Sequence, residues 1–216
     1  QAVITGTFTF EEAASLARSM NAGALPVPIK LIAQTSVGAS LGQDSLRSAI
    51  QAAFWGFGIL SIFMIAYYRL PGLIGVVSLL IYIGWMLAII KIIPITLSLA
   101  GIAGFILSLG MAIDANILTF ERMKEEIARG RSLESSIREG FLRSWASIRD
   151  GNVTTLITAF ILYWTGSSFV QGFAFALTIG ILLSMFTAVF VSRLFLEVIA
   201  GTWLGKPLVL WKGAIW

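Results

Sequence analysis

Residues 48–68 read SAIQAAFWGFGILSIFMIAYY, a run of 21 residues without a charged side chain. Two more uncharged runs follow, of 21 residues at 70–90 and of 22 residues at 92–113. A helix rises about 1.5 Å per residue, so about 20 apolar residues cross a hydrocarbon layer of ~30 Å. These runs predict three membrane-spanning helices, of which the third continues past Asp114 to Phe120.

A fourth uncharged stretch, residues 151–192, is 42 residues long and therefore too long for one ordinary span. The sequence TGSS at 165–168 predicts a break, so this stretch should form two helices. The chain is thus predicted to be a mainly α-helical, polytopic membrane protein with five transmembrane helices. Composition agrees, because 12% of the residues are charged and mean hydropathy is +0.90, whereas soluble domains carry about 25% charged residues.

The segment before the first span is predicted to be a small α+β segment outside the membrane. Residues 3–8 and 29–37 are typical of strands, and Thr9 with Glu12 forms a capping box that predicts a helix over 10–21. A soluble-looking segment precedes the first span, and no signal peptide is visible. We therefore expect a fragment, with at least one further span upstream.

Residues 121–150 differ from the rest, because they hold seven Lys or Arg and six Asp or Glu. Apolar residues at helical spacing after Ser132 predict an amphipathic helix within this loop. With five spans, this loop and the C-terminal tail lie on the side that holds 11 of the 15 basic residues. The positive-inside rule therefore predicts that both are cytoplasmic and that the N-terminal segment is external.

The predicted organisation has three parts. Residues 1–47 are the remnant of an external domain, residues 48–196 are the transmembrane bundle, and residues 197–216 are a cytoplasmic tail. Three tryptophans of the tail suit a membrane–water interface, namely Trp203, Trp211 and Trp216.

Several classes of function are disfavoured by residue types alone. The chain has neither cysteine nor histidine, which excludes disulfides, thiolate metal sites and a conventional catalytic triad. No phosphate-binding glycine loop and no aromatic-and-basic stripe for nucleic acid is visible. We therefore expect no enzyme, no cofactor and no nucleic-acid partner, and the lipid bilayer is the expected surrounding.

Asp114 is the one ionisable residue that lies well inside a predicted span. It is about seven residues from the end of that span, or ~10 Å along the helix. A charged carboxylate at such a depth costs ~2.5 kcal/mol or more, and intramembrane carboxylates often mark proton pathways. The sharper hypothesis is that Asp114 relays protons. The alternative is a structural role, in which Asp114 pairs with a basic residue, with Asn116 or with backbone carbonyls.

The surroundings of Asp114 support helix packing. Gly110 and Asp114 share a helix face, and a small residue there lets another helix approach closely, although glycine is frequent in spans generally. Thr154 and Thr158 of the next span are candidates to hydrate or hydrogen-bond the carboxyl. The alternative is that these hydroxyls bond to their own helix backbone.

The segment GMAIDANILTFER at 110–122 resembles the SecD family of protein-export membrane proteins. The resemblance continues in ITGTF at 4–8, AGALPVP at 22–28 and DGNVTTLI at 150–157. The related SecF subunits have Asn-Asp where this chain has Asp-Ala-Asn. Two departures are visible: Gln171 stands where the family often has a basic residue, and the tail after Gly201 has no counterpart.

This resemblance implies half of a resistance-nodulation-division type bundle, with six spans per SecD, the first of which is missing here, and a SecF partner. It implies association with the SecYEG channel in the bacterial inner membrane. Protons that pass Asp114 would drive an external domain that holds the unfolded preprotein during late-stage export, with Asn116, Gly110, Thr154 and Thr158 in support. Two alternatives stay open: a proton-driven exporter of small molecules or lipids, and a passive assembly subunit.

Overall fold

The computed structural model describes residues 6–21, 39–93, 98–211 and 213. The chain divides into two compact units, Gln1–Ala39 and Ser40–Trp216. The described residues are mainly helical, and none of them lies in a strand. The predicted α+β character is therefore not confirmed. Of the first predicted strand, residues 6–8 are irregular, and the second predicted strand lies outside the described residues.

The first unit contains one described helix, α1 (Phe10–Asn21), with the predicted bounds. The capping box is confirmed, because the Thr9 backbone N–H and hydroxyl donate to the Glu12 carboxylate at 2.9 and 2.8 Å. These hydrogen bonds, first that of the backbone and then that of the side chain, lower the pKa of Glu12. The local signal was sufficient here because both partners lie within one helical turn.

The described residues of the second unit form six α-helices. In chain order they are α2 (Ala39–Tyr68), α3 (Leu70–Ile92), α4 (Leu99–Ala128), α5 (Leu133–Thr165), α6 (Ser168–Phe186) and α7 (Ser192–Ala200). A π-helical turn, Thr187–Val191, joins α6 to α7 without a break. Two short 3₁₀ turns, Trp203–Gly205 and Leu208–Leu210, follow in the tail.

The predicted turn between the first two spans is confirmed and is very tight. Only Arg69 separates α2 from α3, and its φ of 54° is unusual for a residue other than glycine. Pro71 lies in the first turn of α3, where a missing N–H costs no hydrogen bond. A Cβ at Gly72 would overlap the Met64 carbonyl, so only glycine lets the two helices approach this closely.

Four helical segments in the described part of the chain are long and apolar enough to cross a membrane. They are Gln43–Tyr68, Leu70–Ile92, Leu99–Ala128 and Ser168–Ala200. The predicted break at 165–168 is confirmed, because α5 ends at Thr165 and α6 begins at Ser168. The uncharged part of α5, residues 151–165, is shorter than an ordinary span. By length and composition, the described residues therefore contain fewer membrane-spanning helices than the five that were predicted.

Residues 121–150, predicted as a loop, instead form the ends of two long helices, and we call them the charged hairpin. Helix α4 continues to Ala128, and α5 begins after Ser132, whose hydroxyl accepts from the Ser135 backbone N–H at 3.4 Å. Helix α5 then passes Asp150 without interruption. The predicted amphipathic helix and the fourth predicted span are one helix, because neither Asp nor Gly at 150–151 breaks the hydrogen-bond ladder.

A buried carboxylate holds the charged hairpin together. The Glu126 side chain is 1% exposed and pairs with Arg129 at 2.5 Å, with Arg131 at 3.0 Å, and with Arg143. Arg129 and Arg131 belong to the turn, whereas Arg143 belongs to α5. Because a buried charge must be paired, Glu126 ties the turn and α5 to the end of α4.

Close helix packing in the membrane depends on glycines of α4 and α6. A Cβ at Gly104 would lie 2.6 Å from the Phe173 carbonyl oxygen. A Cβ at Gly180 would overlap the side chain of Ser108, whose hydroxyl hydrogen-bonds that of Tyr82 at 2.7 Å. Small residues thus bring α4 and α6 into near backbone contact.

Replacing Gly180 with valine should therefore destabilise the bundle by about 1–3 kcal/mol, because overpacking forces helices apart. The measurement is the midpoint of denaturant unfolding of the full-length protein in detergent. Gly84→Val is the matched control, since no atom lies within 4 Å of a Cβ at Gly84. Equal midpoints for the two variants would contradict the packing argument.

The tail folds back onto the bundle. Trp211 is 1% exposed and belongs to the main hydrophobic core, and its indole N–H donates to the Leu204 carbonyl at 2.9 Å. The Arg69 guanidinium donates to the Val209 carbonyl at 2.8 Å. The prediction that Trp211 lies at the membrane interface is wrong, because its N–H is satisfied within the tail and the ring can be buried. Trp203 is exposed, and Trp216 lies outside the described residues.

Candidate functional site

Asp114 lies on the outward face of α4. Its chain neighbours Ile113 and Ala115 are buried in the bundle, whereas Asp114 is exposed. Gly110, one turn away, is exposed on the same face, as predicted, and nothing lies within 4 Å of a Cβ built there. Among the described residues, no hydrogen bond or ion pair involves the Asp114 carboxylate. This span therefore presents on its outer surface a carboxylate that is not paired with any described residue.

A crevice of about 240 Å³ between α4 and α5 opens beside this carboxylate. Its walls come from both helices, namely from Met111, Asp114, Ala115, Leu118, Ser147, Ile148, Gly151, Asn152 and Thr155. Four of these side chains are polar, and they are Asp114, Ser147, Asn152 and Thr155. The crevice thus surrounds Asp114 with groups that can bind water.

Asn116 points in the opposite direction, into the bundle. It is 3% exposed, its amide donates to the Ala112 carbonyl at 3.0 Å, and its carbonyl accepts from the Ser192 hydroxyl at 2.6 Å. Ser192 begins α7, directly after the π-helical turn. Ala188 of that turn packs against Ala115, the neighbour of Asp114. The π-helical turn thus packs in a small apolar cluster with Ala115 and Ile148.

Replacing Ser192 with alanine should destabilise the bundle by about 1–3 kcal/mol, because the buried Asn116 carbonyl loses its partner. Unfolding of the full-length protein by denaturant measures this loss. Ser78→Ala is the matched control, since the buried Ser78 hydroxyl donates to the Ile74 carbonyl of its own helix, at 3.0 Å, and to no other described residue. A smaller loss for Ser192→Ala than for Ser78→Ala would contradict the expected role of the Asn116–Ser192 bond.

Thr154 and Thr158 do not line the crevice. Their hydroxyls donate to the carbonyls of Asp150 at 2.8 Å and of Thr154 at 3.1 Å, both within α5. Thr155, which does line the crevice, also donates to its own helix, at 3.0 Å to the Gly151 carbonyl. The structure thus brings Asp114 near Thr155 rather than near the two threonines that were predicted to support it.

Sequence reasoning missed the polar residues of α5 that line the crevice beside Asp114. Asn152 is an amide near the start of the uncharged stretch 151–192, and an amide in a predicted span was the available signal. Ser147 and Ser192 carried no signal of their own, because serine is common in transmembrane helices and bonds its own backbone there. Only the packing of α5 and α7 onto α4 distinguishes these two residues from other serines.

The chemistry available at this site is the binding and release of a proton. A carboxylate in a span, with polar neighbours and space for water, can change its charge state. Among the described residues, no group of three or more His, Cys, Asp or Glu side chains is placed to hold a metal ion.

Comparisons with known proteins point to one family. The family described as protein export membrane protein SecD/SecF, C-terminal, matches residues 19–201. The tail after Gly201 lies beyond this match.

Individual relatives agree with the family match. The protein translocase subunit SecD of Thermobaculum terrenum is 51% identical over 213 residues, which are 97% of this chain and 41% of that protein. SecD of a Synechocystis species is 49% identical over 198 residues, covering 92% of this chain and 42% of that protein. The chain thus spans less than half the length of these two relatives.

The fold agrees as well. The crystal structure of SecDF from Thermus thermophilus, described as a translocon-associated membrane protein, superposes with a TM-score of 0.81 at 36% sequence identity. The match covers 100% of this chain and 29% of that chain. The chain therefore belongs to the SecD/SecF C-terminal family of protein export membrane proteins, in which it corresponds to the C-terminal half of SecD.

Proposed function

We propose that this chain is the membrane half of a SecD subunit that uses the proton gradient to promote late-stage preprotein export, with Asp114 as the proton relay. One observation carries the proposal. Asp114 is exposed on the outer face of a span, beside a polar crevice, and without a hydrogen bond or ion pair from the described residues. A carboxylate that pinned only the helices of this chain would be bonded within the bundle, as the Asn116 amide is.

Protonation of Asp114 would change how the outward face of α4 packs. When charged, Asp114 needs water or an opposite charge, because an unpaired carboxylate in a membrane is costly. When protonated, it can pack against another helix. The open space beside Gly110 gives room for such a helix. Protonation would thus shift the balance between two packings of this face, which is how a proton gradient can do mechanical work.

We also propose that α5 supplies a fifth span. Its uncharged part, residues 151–165, is 15 residues or ~22 Å long. Most side chains of this part are exposed in the chain, including Phe160, Ile161 and Trp164, which suits a lipid or protein surrounding. Bilayers thin locally around short spans at modest cost.

Five spans place the charged hairpin and the tail on one side and the first unit on the other. By the positive-inside rule, the hairpin and tail are cytoplasmic and the first unit is external, in a bacterial inner membrane. The outward face that carries Gly110 and Asp114 would pack against SecF, and the complex would act with the SecYEG channel on an unfolded preprotein. Translocon association is stated for the similar SecDF of Thermus thermophilus.

The exporter alternative is not favoured, because the relatives compared above are named protein translocase subunits rather than small-molecule exporters. The same names give no indication of an enzyme. A passive assembly subunit is the alternative that experiment must separate from a relay.

The test is Asp114→Asn in the full-length protein, expressed with SecF. Late-stage release of a preprotein is followed in membrane vesicles with and without a proton gradient. Loss of the gradient effect in a normally assembled complex is the expected result. A full gradient effect in the variant would overturn the proposed relay.

A further inference from the structure

The contacts between α4 and α5 fix how deep the residues of α5 lie in the membrane. The hydroxyls of Thr119 and Ser144 hydrogen-bond at 3.0 Å, and four residues farther along each helix Ala115 packs with Ile148. The two helices therefore run antiparallel and in step. Phe120, the last residue of the apolar run of α4, directly follows Thr119, so the hydrocarbon edge on the hairpin side crosses α5 close to Ser144.

Two tryptophans of α5 agree with this depth. Trp145 follows Ser144 and is 39% exposed, and Trp164 lies near the other end of the helix and is 78% exposed. Their separation of 19 residues is ~28 Å along the helix, close to the ~30 Å of a hydrocarbon core. Tryptophan is enriched at both membrane–water interfaces. The proposed fifth span would thus extend from Trp145 to Trp164.

Four exposed side chains form one stripe along the hairpin end of α5, at helical spacings of four, three and four. We call it the basic stripe, and it consists of Arg138, Leu142, Trp145 and Arg149. No hydrogen bond or ion pair joins Arg138 to any described residue. The Arg149 side chain holds the neighbouring Asp150 carboxylate at 2.8 Å and is still 52% exposed. The stripe thus presents guanidinium donors on both sides of an exposed indole.

The two arginines of the basic stripe are placed to reach the lipid headgroups of the hairpin side. The headgroup layer adds about 5–7 Å outside the hydrocarbon core. Arg138 lies six residues beyond Ser144, or ~9 Å, near the outer edge of this layer. Arg149 lies below the edge, but helical side chains lean toward the helix N-terminus, which for α5 is the hairpin end. An arginine can bury its stem in this way and keep its charge at the interface.

An apolar groove of about 670 Å³ between α5 and α6 continues from the basic stripe into the hydrocarbon layer. It begins at Val153, one turn beyond Arg149, and extends ~15 Å along α5 to Tyr163. Its other lining residues are Leu156, Ile157, Phe160, Phe175, Thr178 and Leu182. Only Tyr163 and Thr178 carry a hydroxyl, and that of Thr178 donates to the Ala174 carbonyl at 2.8 Å. The groove therefore offers an extended apolar surface.

We propose that the basic stripe and this groove bind an anionic phospholipid of the hairpin-side leaflet. Its phosphate lies beside Trp145, between Arg138 and Arg149, and one acyl chain lies in the groove. The inference rests on the proposed fifth span, but not on the proposed relay role of Asp114.

The arrangement of charge and apolar surface favours a lipid over another protein as the occupant. A phospholipid has an anionic end at the interface and an apolar end in the hydrocarbon, and the stripe and the groove match this order along one helix. Basic residues close to the membrane surface attract anionic lipids. Asp150 is the acidic residue beside Arg149, and Arg138 has no such partner among the described residues. The stripe therefore keeps a positive charge for a lipid phosphate.

Native mass spectrometry of the full-length protein, purified with SecF, tests the site. The probe is phosphatidylglycerol, and phosphatidylcholine with the same acyl chains is the zwitterionic comparison. We expect the complex with Arg138→Gln and Arg149→Gln together to retain one phosphatidylglycerol fewer. The affinity of this site should fall about 10-fold or more, since each basic residue near an anionic lipid contributes roughly a factor of five. Binding of phosphatidylcholine should not change.

Matched variants control for charge and for bulk. Arg122→Gln with Lys206→Gln removes the same charge from the hairpin side but away from the basic stripe, and it should retain phosphatidylglycerol as the native complex does. Leu182→Trp should fill the groove and displace the lipid. Leu80→Trp makes the same change at an exposed position on α3, outside the groove, and should not displace the lipid.

A photo-reactive benzophenone side chain at Leu142, in native membranes, identifies the occupant directly. A phospholipid adduct is the expected product, whereas an adduct with a protein would overturn the inference. Equal retention of phosphatidylglycerol by the native complex and by the variant with Arg138→Gln and Arg149→Gln would also overturn it. So would equal affinities of the native site for phosphatidylglycerol and phosphatidylcholine.

A topology experiment separates this inference from the proposed function. The chain has no cysteine, so Ser135→Cys and Ser167→Cys place single thiols at the two ends of α5. A membrane-impermeant thiol reagent should label them from opposite sides. Labelling from the same side would show that the proposed fifth span fails, and the lipid site with it. Labelling from opposite sides, with phosphatidylglycerol binding unchanged by the arginine substitutions, would show that the lipid site alone is wrong.

Discussion

Replacing Asp114 with asparagine should leave the bundle folded and remove its response to the proton gradient. Asparagine has nearly the shape of aspartate, but its side chain cannot take up or release a proton in the physiological pH range. The carboxylate has no hydrogen bond or ion pair with the described residues, so the chain loses no internal contact. We therefore expect the free energy of unfolding to change by less than about 0.5 kcal/mol, as for surface substitutions.

The matched control is Asp44→Asn, which makes the same chemical change at an exposed position near the start of α2. That variant should keep both assembly and gradient-driven release. Complex abundance, denaturant unfolding and release with and without the gradient are measured on all three proteins. A destabilised or unassembled Asp114→Asn complex would show that Asp114 is a packing residue. In that case the passive-subunit alternative gains support.

Replacing Trp211 with alanine should destabilise the second unit by about 3–5 kcal/mol, the usual cost of removing a large aromatic side chain from a core. Trp211 is 1% exposed and packs in the same core as Tyr68, Leu196 and Ile137. Its loss would leave a cavity and would free the Leu204 carbonyl from its indole donor. Denaturant unfolding of the full-length protein in detergent measures the effect.

Trp203→Ala is the control for this prediction, because Trp203 belongs to the same tail but is 75% exposed. Its substitution should change the free energy of unfolding by less than about 0.5 kcal/mol. If the two variants have the same free energy of unfolding, the tail does not pack on the bundle as described. The hydrogen bond from Arg69 to Val209 then does not anchor the tail either.

Much of the fold was predictable because its signals are local or follow from the bilayer. In lipid, the backbone polar groups of an uncharged run of about 20 residues find their hydrogen-bond partners within a helix. The spacing of the charged residues therefore predicts α2, α3 and α4. The Thr9–Glu12 capping box predicted the start of α1, and the sequence at 165–168 predicted the break between α5 and α6. Asp114 was identified by its depth in a span.

Other features depend on contacts between distant segments and left no local signal. The charges around Asp150 indicated a boundary between a loop and a span. Charged and apolar residues nevertheless continue one helix equally well when its backbone hydrogen bonds are unbroken. Tryptophan is a residue type that is typical of membrane interfaces. Only the contact of Trp211 with Leu204 reveals that this side chain is buried. Asn152 lines the same crevice as Asp114 because α5 packs against α4, which periodicity alone could not show.

The unbroken course of α5 has a mechanical meaning. A helix of 33 residues is about 50 Å long, and this one is joined to the hairpin turn through Glu126 and Arg143 at one end while it forms a wall of the Asp114 crevice farther along. No hinge separates these two parts, so α5 acts as a stiff lever. A protein that tilts the hairpin would also widen or narrow the space beside Asp114. The access of protons to Asp114 would then depend on the protein that binds the hairpin.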